Sequence, residues 1–190
     1  MSTATIAVLQ LSDAKEMSEE LSRLQQEMGI VLQYTVTLRA SHPLHFPNTS
    51  YGYAMCLFSK IDLFSQYWFP QVAPQTDRMK EFLVQCLGYG PQETLVAIKM
   101  WRHGLMHTSQ PRVLVDQVSG QRYDWLLQHQ LPQTKHWVLE PGDEKMILNL
   151  GLMNLAEDLK TGFGKIVADL PNRADILGSW AGVSSRIRQF

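Results

Sequence analysis

Arginine and histidine side chains cluster in the stretch KMWRHGLMHTSQP, residues 99–111. Four residues separate Arg102 from His107, and His103 follows the arginine directly. An arginine can stabilise negative charge on phosphoryl oxygens, and a histidine, which titrates near neutral pH, can donate or accept a proton. Phosphate chemistry is therefore one interpretation of this stretch. Packed structural polar groups at the end of a helix are the other.

The spacing alone decides nothing, because an arginine followed by a histidine after four to six residues is a permissive pattern. It occurs three times in this chain: Arg39 to His45, Arg102 to His107 and Arg122 to His129. The first pair spans a proline break and the third lies in strand-like sequence. The second pair is the one at the end of a predicted helix, so it is the candidate for a functional site.

Arg102 falls on or beside the apolar face of its predicted helix, four residues after Ile98 and three before Leu105. A buried arginine needs an anion, and Asp62, at the margin of an earlier helix's apolar stripe, is the best partner in the sequence. The pair could support a catalytic arginine. The alternative, which an isolated arginine–aspartate pair favours, is a salt bridge that only joins two helices.

His107 lies roughly 140° farther round an ideal helix than Arg102. The two side chains can reach one phosphate only if the helix unwinds between them or if a second subunit supplies part of the site. Gly104 makes local unwinding inexpensive. The alternative is that Gly104 ends the helix, with His103 and His107 satisfying terminal carbonyls.

The elements that must position these residues are mostly helical. Capping signals, apolar periodicity and proline breaks predict five helices, at about 13–39, 48–70, 76–87, 91–110 and 152–170. Between the last two, alternating residues and turn signals predict a small antiparallel meander at about 111–150, with a turn at Ser119-Gly120. We therefore predict one mainly α domain over residues 1–190, with a β insertion before the last helix.

The net charge of −1 excludes a protein that coats itself with nucleic acid. Residues 99–136, however, hold five lysines or arginines, two acids and four of the six histidines, a formal charge of +3 against −4 for the remainder. An anion is therefore expected to dock on this central third of the chain. Lys99, Arg112 and Arg122 are the candidate nucleic-acid-binding residues.

Several other classes of protein are not indicated. The longest apolar runs fall short of the ~18–20 residues that a membrane helix requires, and the first residues lack a basic, apolar leader, so we expect a cytoplasmic protein. Cys56 and Cys86 have no zinc-ligand spacing and are predicted to be buried, reduced thiols. No phosphate-binding glycine loop, HExxH or GxSxG motif occurs, so we predict neither a metal nor another cofactor.

The stretch WRHGLMHTSQP at a helix end, together with FSKIDLFSQYW in an earlier helix, resembles the HEPN family of all-α, nucleic-acid-associated domains. Arg102, His103 and His107 match the family's arginine, polar residue and histidine in order. Asp62 resembles the acid that supports the arginine. The similarity covers about residues 13–110 and the final helix, and it implies an antiparallel helical bundle.

The resemblance also implies a metal-independent endoribonuclease, such as a toxin or a defence enzyme, that cuts single-stranded RNA. Two protomers would face each other in a homodimer, with the arginines and histidines in one cleft. A separate antitoxin or nucleotidyltransferase chain is a further partner that the family suggests. The alternative is a non-catalytic helical module that binds protein or nucleotide, in which Arg102–Asp62 is a structural ion pair.

Overall fold

The computed structural model describes residues 48–69, 71–104, 113–128 and 135–169, together with the single residues 19, 22, 23, 26, 30 and 172. Four helices and four strands lie in these ranges. The helices are α1 (Asn48–Trp68), α2 (Gln75–Gln85), α3 (Pro91–Ala97) and α4 (Leu152–Asp169). The strands are β1 (Leu114–Val115), β2 (Arg122–Gln128), β3 (Val138–Pro141) and β4 (Met146–Gly151). Of the helix predicted over 13–39, the five described residues are helical, and the rest lies outside the described ranges.

Helix α1 is the centre of the helical layer. Its apolar residues recur at the spacing of one helical face, so Leu57, Ile61 and Phe64 are all buried. That face packs against α2 and α4. The predicted helix and its apolar stripe are thereby confirmed.

Helix α2 ends at a glycine that fixes the path of the chain. Gly88 adopts a left-handed backbone (φ 76°), and its N–H donates to the carbonyl oxygen of Val84 at 3.1 Å. A residue in this conformation satisfies an open carbonyl at a helix end, and glycine adopts it without a steric penalty. The turn delivers Tyr89 to the interior before α3 begins at Pro91, a favoured first helical residue.

Helix α3 continues directly into a wider, π-helical turn at Ile98–His103. Gly104 follows with a helical backbone, and residues 105–112 lie outside the described ranges. The predicted helix over 91–110 is therefore confirmed only as far as Gly104, and part of it has π geometry. The apolar side of this segment, with Ile98, Met100 and Trp101, is fully buried.

The sheet corrects the predicted fold. Its strand order is β1-β2-β4-β3, and its two central strands, β2 and β4, run parallel, with Trp125 opposite Leu148. The prediction of a helical bundle with an inserted antiparallel meander is wrong, because β4 does not follow β3 to an outer edge but inserts between β3 and β2. Among the described strands, β1 pairs with β2 and β3 pairs with β4 in the antiparallel direction.

The composition of β4 explains its central place. Strands at the centre of a sheet that are covered on both faces read as continuous apolar runs rather than as an alternating pattern. Residues 148–151 of this strand are all buried, with Leu148 and Leu150 facing the helices. Asn149, on the other face, is also buried and donates to Glu140 Oε2 at 2.9 Å.

Two smaller predictions have different outcomes. The turn at Ser119-Gly120 is confirmed, with Gly120 at φ 71° and the carboxylate of Asp116 accepting the N–H of Val118. The prediction of buried thiols is wrong for Cys56, which is exposed because it falls on the face of α1 opposite the apolar stripe; Cys86 is half-buried. Within the described ranges, no helix combines the length and apolar character needed to cross a membrane.

Candidate functional site

Arg102 lies in the π-helical turn that extends α3. Such turns are rare, and they occur frequently at functional sites because they widen the helix locally. The preceding residue, Trp101, is fully buried, whereas the side chain of Arg102 is 19% exposed to solvent. The turn thus anchors the backbone in the core and leaves the guanidinium at the border between core and solvent.

Three helices contribute to a polar network around this guanidinium. Arg102 Nη2 donates to Gln75 Oε1 at 2.6 Å, and Gln75 Nε2 donates to Asp62 Oδ2. Arg102 Nη2 and Asp62 Oδ2 are 3.9 Å apart, and the side chain of Asp62 is 22% exposed. The structure therefore brings the two sequence-predicted residues together, with the Gln75 amide alongside them.

The Gln75 amide is matched to both of its neighbours. Its oxygen faces the cation and its nitrogen faces the carboxylate, which is the favourable direction for each hydrogen bond. The network holds Arg102 in one orientation through neighbours on α1 and α2. Sequence reasoning missed Gln75, because a first-turn glutamine following Ala-Pro has no spacing that relates it to residue 102.

The other predicted catalytic residues are described only in part. His103 ends the π-helical turn, and its side chain lies outside the described atoms. His107 and Arg112 fall in residues 105–112, outside the described ranges. Convergence of Arg102 with His107 therefore stays a prediction.

The two described candidates for nucleic-acid binding, Lys99 and Arg122, both lie near the β1–β2 hairpin. Arg122 is exposed and pairs with Val115 across the hairpin, next to Asp116. Hydrogen bonds from Val118 and Ser119, with a contribution from the charge of Lys99, lower the pKa of Asp116. Lys99 and Arg122 thus lie in one neighbourhood, where Asp116 offsets part of their charge.

A second polar cluster joins Tyr89, His136 and Asp158. Tyr89 Oη donates to Asp158 Oδ2 at 2.6 Å and lies 2.9 Å from His136 Nε2. His136 Nε2 is 3.4 Å from the same carboxylate oxygen, and the histidine side chain is only 8% exposed. The backbone N–H of Gly151 donates to His136 Nδ1 at 3.0 Å, so both ring nitrogens have partners.

The cluster separates the titration of its two acidic groups. Burial, followed by the hydrogen bond to Asp158, raises the pKa of Tyr89 far above its usual value. Burial alone would raise the pKa of Asp158, but hydrogen bonds from His136 and Tyr89 outweigh it and lower that pKa, together with the positive charges of His136, when its ring is protonated, and of Lys165. Asp158 is therefore ionised and Tyr89 neutral across the physiological range.

The residue after His136 has an uncommon backbone conformation. Trp137 adopts φ 56°, which is rare for a bulky side chain, although its indole is buried. The indole stacks on the Tyr89 ring, with the ring centroids 4.3 Å apart. The backbone N–H of Trp137 donates to the carbonyl oxygen of Asn149 at 2.8 Å. Backbone strain of this kind costs about 1–3 kcal/mol and persists where the surroundings fix it, frequently at functional sites.

Within the described ranges, no three His, Cys, Asp or Glu side chains are grouped so that they could hold a metal ion. The two polar clusters, around Arg102 and around His136, consist of hydrogen-bonding and charged side chains. Side chains of these types can bind anions and transfer protons.

Replacing Asp62 with alanine is expected to destabilise the protein by about 1.5–3 kcal/mol, the range for hydrogen bonds to charged groups. The change removes the acceptor of Gln75 and the negative charge beside Arg102. Chemical denaturation should measure the loss, with Asp143→Ala in the exposed β3–β4 turn as the control. Equal stability of the two variants would show that the network makes no contribution to folding.

Comparison with known proteins gives no match: neither a family model, nor a curated protein, nor a solved structure is similar to this chain at a significant level.

Proposed function

We propose that this chain is a metal-independent endoribonuclease in which Arg102 binds a backbone phosphate and His107 transfers protons. The observation that carries the proposal is the orientation of Arg102: Gln75 and Asp62 hold its guanidinium at the edge of the core, in a π-helical turn. A preorganised cation of this kind stabilises charge that develops in a transition state without reorganising during the reaction.

The reaction would be an internal transfer of the phosphoryl group. A histidine removes the proton from the ribose 2′-hydroxyl, whose oxygen attacks the adjacent phosphorus. The bond from phosphorus to the 5′-oxygen breaks, and a protonated histidine supplies the proton that the leaving oxygen needs. The products are a 2′,3′-cyclic phosphate and a 5′-hydroxyl. Water can then open the cyclic phosphate to a 3′-phosphate.

The purified protein is expected to cut single-stranded RNA in the presence of EDTA, because the proposed steps require only proton transfer and phosphate binding. End analysis of the fragments should find 2′,3′-cyclic phosphate or 3′-phosphate. The matched control is the same sequence as DNA, which lacks the attacking hydroxyl. Equal cleavage of the DNA, or intact RNA across several sequences, would contradict the proposal.

A homodimer would supply both histidines to one phosphate. The motivation is the sequence spacing: on an ideal α-helix Arg102 and His107 diverge by roughly 140°, and the π-helical turn at Ile98–His103 alters that angle only at its Arg102 end. Sedimentation at micromolar concentrations is expected to find a dimer whose interface includes the residues around His107. A monomer at high micromolar concentration would speak against this arrangement. RNA as the substrate suits a cytoplasmic enzyme, and a separate antitoxin or nucleotidyltransferase chain would be its regulator.

The second candidate is a non-catalytic module that binds protein or nucleotide. It is favoured by the hydrogen bond of Arg102 to Gln75 and by the low exposure of the arginine side chain, both of which a structural ion pair would also have. Under this alternative, Arg102→Ala lowers stability and changes no RNA product. The cleavage assay therefore separates the two functions.

A further inference from the structure

The hydrogen bonds of His136 have a fixed direction. Gly151 N–H donates to Nδ1 at 3.0 Å, so Nδ1 must carry a lone pair and the hydrogen of the neutral ring lies on Nε2. Nε2–H then donates to Tyr89 Oη at 2.9 Å, and the tyrosine hydrogen is donated to Asp158 Oδ2 at 2.6 Å. A single directed chain thus runs from the backbone of Gly151 to a carboxylate that is 43% exposed.

We propose that His136 is a pH-sensitive latch: its neutral ring fastens Gly151, where β4 meets α4, to the segment before β3, and protonation of the ring releases that bond. The proposal concerns a different part of the molecule from the Arg102 network and does not depend on the ribonuclease function.

Protonation acts selectively on one end of the hydrogen-bond chain. An imidazolium carries hydrogens on both nitrogens, so Nδ1 can no longer accept from Gly151, and two N–H groups oppose each other. On the other side, the positive ring is attracted to Asp158, whose Oδ2 lies 3.4 Å from Nε2. The ring is therefore held at its Asp158 end, and the bond to Gly151 is the one that breaks.

Loss of the hydrogen bond from Gly151 to His136 is costly because both partners are surrounded by other side chains. Gly151 is buried, so its N–H loses a partner where water does not readily replace it. The ring cannot simply turn away, because Trp137, held in a left-handed backbone conformation, lies edge-on to it with centroids 5.8 Å apart. Tyr89 contacts the ring edge-on as well, at 5.6 Å.

Among the described residues, the titratable groups that face His136 are Tyr89, from the turn between α2 and α3, and Asp158, from α4. Lys165 acts on Asp158 from farther along α4, and the neighbouring Lys135 is paired with Glu140 at 2.6 Å. The pKa of Asp158 lies below its usual range and that of Tyr89 above it. Imidazole side chains as a class change charge between about pH 5 and 8, whereas phenol and carboxyl groups do not.

The test is amide hydrogen exchange followed by NMR in the full chain, with the His136 ring titrated in the same samples. After correction for the intrinsic effect of pH on exchange, the Gly151 amide is expected to exchange about tenfold faster once the ring is protonated, as loss of one hydrogen bond implies. The amide of Leu148, in the middle of β4, is the internal control and should show no such step. Unchanged protection of Gly151 through the ring titration would overturn the proposal.

The variant His136→Asn separates the acceptor from the proton. Its amide oxygen can occupy the position of Nδ1 but does not titrate, so Gly151 exchange is expected to show no step between pH 5 and 8. A step that persists in this variant would assign the effect to another group. If the variant does not fold, the ring nitrogen shifts of the wild-type protein decide the matter: a neutral ring with its hydrogen on Nδ1 overturns the proposal, and one with its hydrogen on Nε2 supports it.

Discussion

Replacing His107 with alanine is expected to lower the rate of RNA cleavage about 10²- to 10⁴-fold, the usual contribution of a positioned acid or base. The reason is that nothing else in the proposed mechanism removes the 2′-hydroxyl proton. Single-turnover cleavage of a labelled RNA in EDTA measures the effect. His42→Ala is the matched control, since that histidine precedes Pro43 and lies outside the Arg102–His107 motif, and it should cleave at the wild-type rate.

The corresponding change at Arg102 tests the other half of the same site. Arg102→Ala is expected to reduce the rate of cleavage by about 10²- to 10³-fold, the usual effect of removing one preorganised hydrogen-bond donor that stabilises charge in the transition state. Arg102→Lys keeps the charge but loses the planar fork that fits Gln75 and a phosphate together, so it should recover only part of the rate. Arg23→Ala, at an exposed position, is the control. Equal cleavage by the wild-type, His107→Ala and Arg102→Ala proteins would show that Arg102 and His107 do not form the catalytic site.

The local elements were predictable because their signals are local. The stripe of α1, the Pro91 start of α3 and the Gly120 turn depend on residues within a few positions of one another. The proximity of Arg102 to Asp62 could also be anticipated. A charged residue beside an apolar face needs a partner, and few carboxylates were placed to provide one.

The sheet order could not be read in the same way. Hairpin-like turns suggest that each strand pairs with the next, and this holds for β1 with β2 and β3 with β4. The parallel contact of β2 with β4 joins strands separated by residues 129–145, where no local pattern specifies a partner. The mostly apolar composition of β4, in which Asn149 is the one polar residue, was the available signal, because such a composition is typical of a central strand rather than an edge strand.

The cluster of Tyr89, His136 and Asp158 was not predicted, for a related reason. His136 meets Tyr89 across 47 positions, and Tyr89 meets Asp158 across 69, so no spacing rule relates the three residues. No sequence pattern predicts the π-helical turn either, since its residues suit an ordinary α-helix. Such sites depend on tertiary packing, which determines the neighbours of each side chain only after the helices and the sheet have come together.

That packing is tested most strongly at Phe64. Its ring is 98% buried where α1, α2 and α4 meet, with centroids 4.7 Å from Phe163 and 6.1 Å from Phe82. Phe64→Ala is expected to lower the free energy of unfolding by about 3–5 kcal/mol, because it removes the buried ring and leaves a cavity that rigid neighbours do not fill. This is a large part of the total stability of about 5–15 kcal/mol that a domain has.

Urea denaturation is the measurement, and two control variants define its meaning. Phe64→Leu retains most of the buried surface and should cost clearly less than the alanine variant, since a smaller volume is lost. Val118→Ala, at a side chain that is 97% exposed, should change stability by no more than about 0.5 kcal/mol. A double-mutant cycle between Phe64 and Phe163 should give a coupling of about 0.5–1.5 kcal/mol from the stacked rings. A Phe64→Ala cost as small as that of Val118→Ala, with no coupling to Phe163, would mean that α1 and α4 do not pack through these rings.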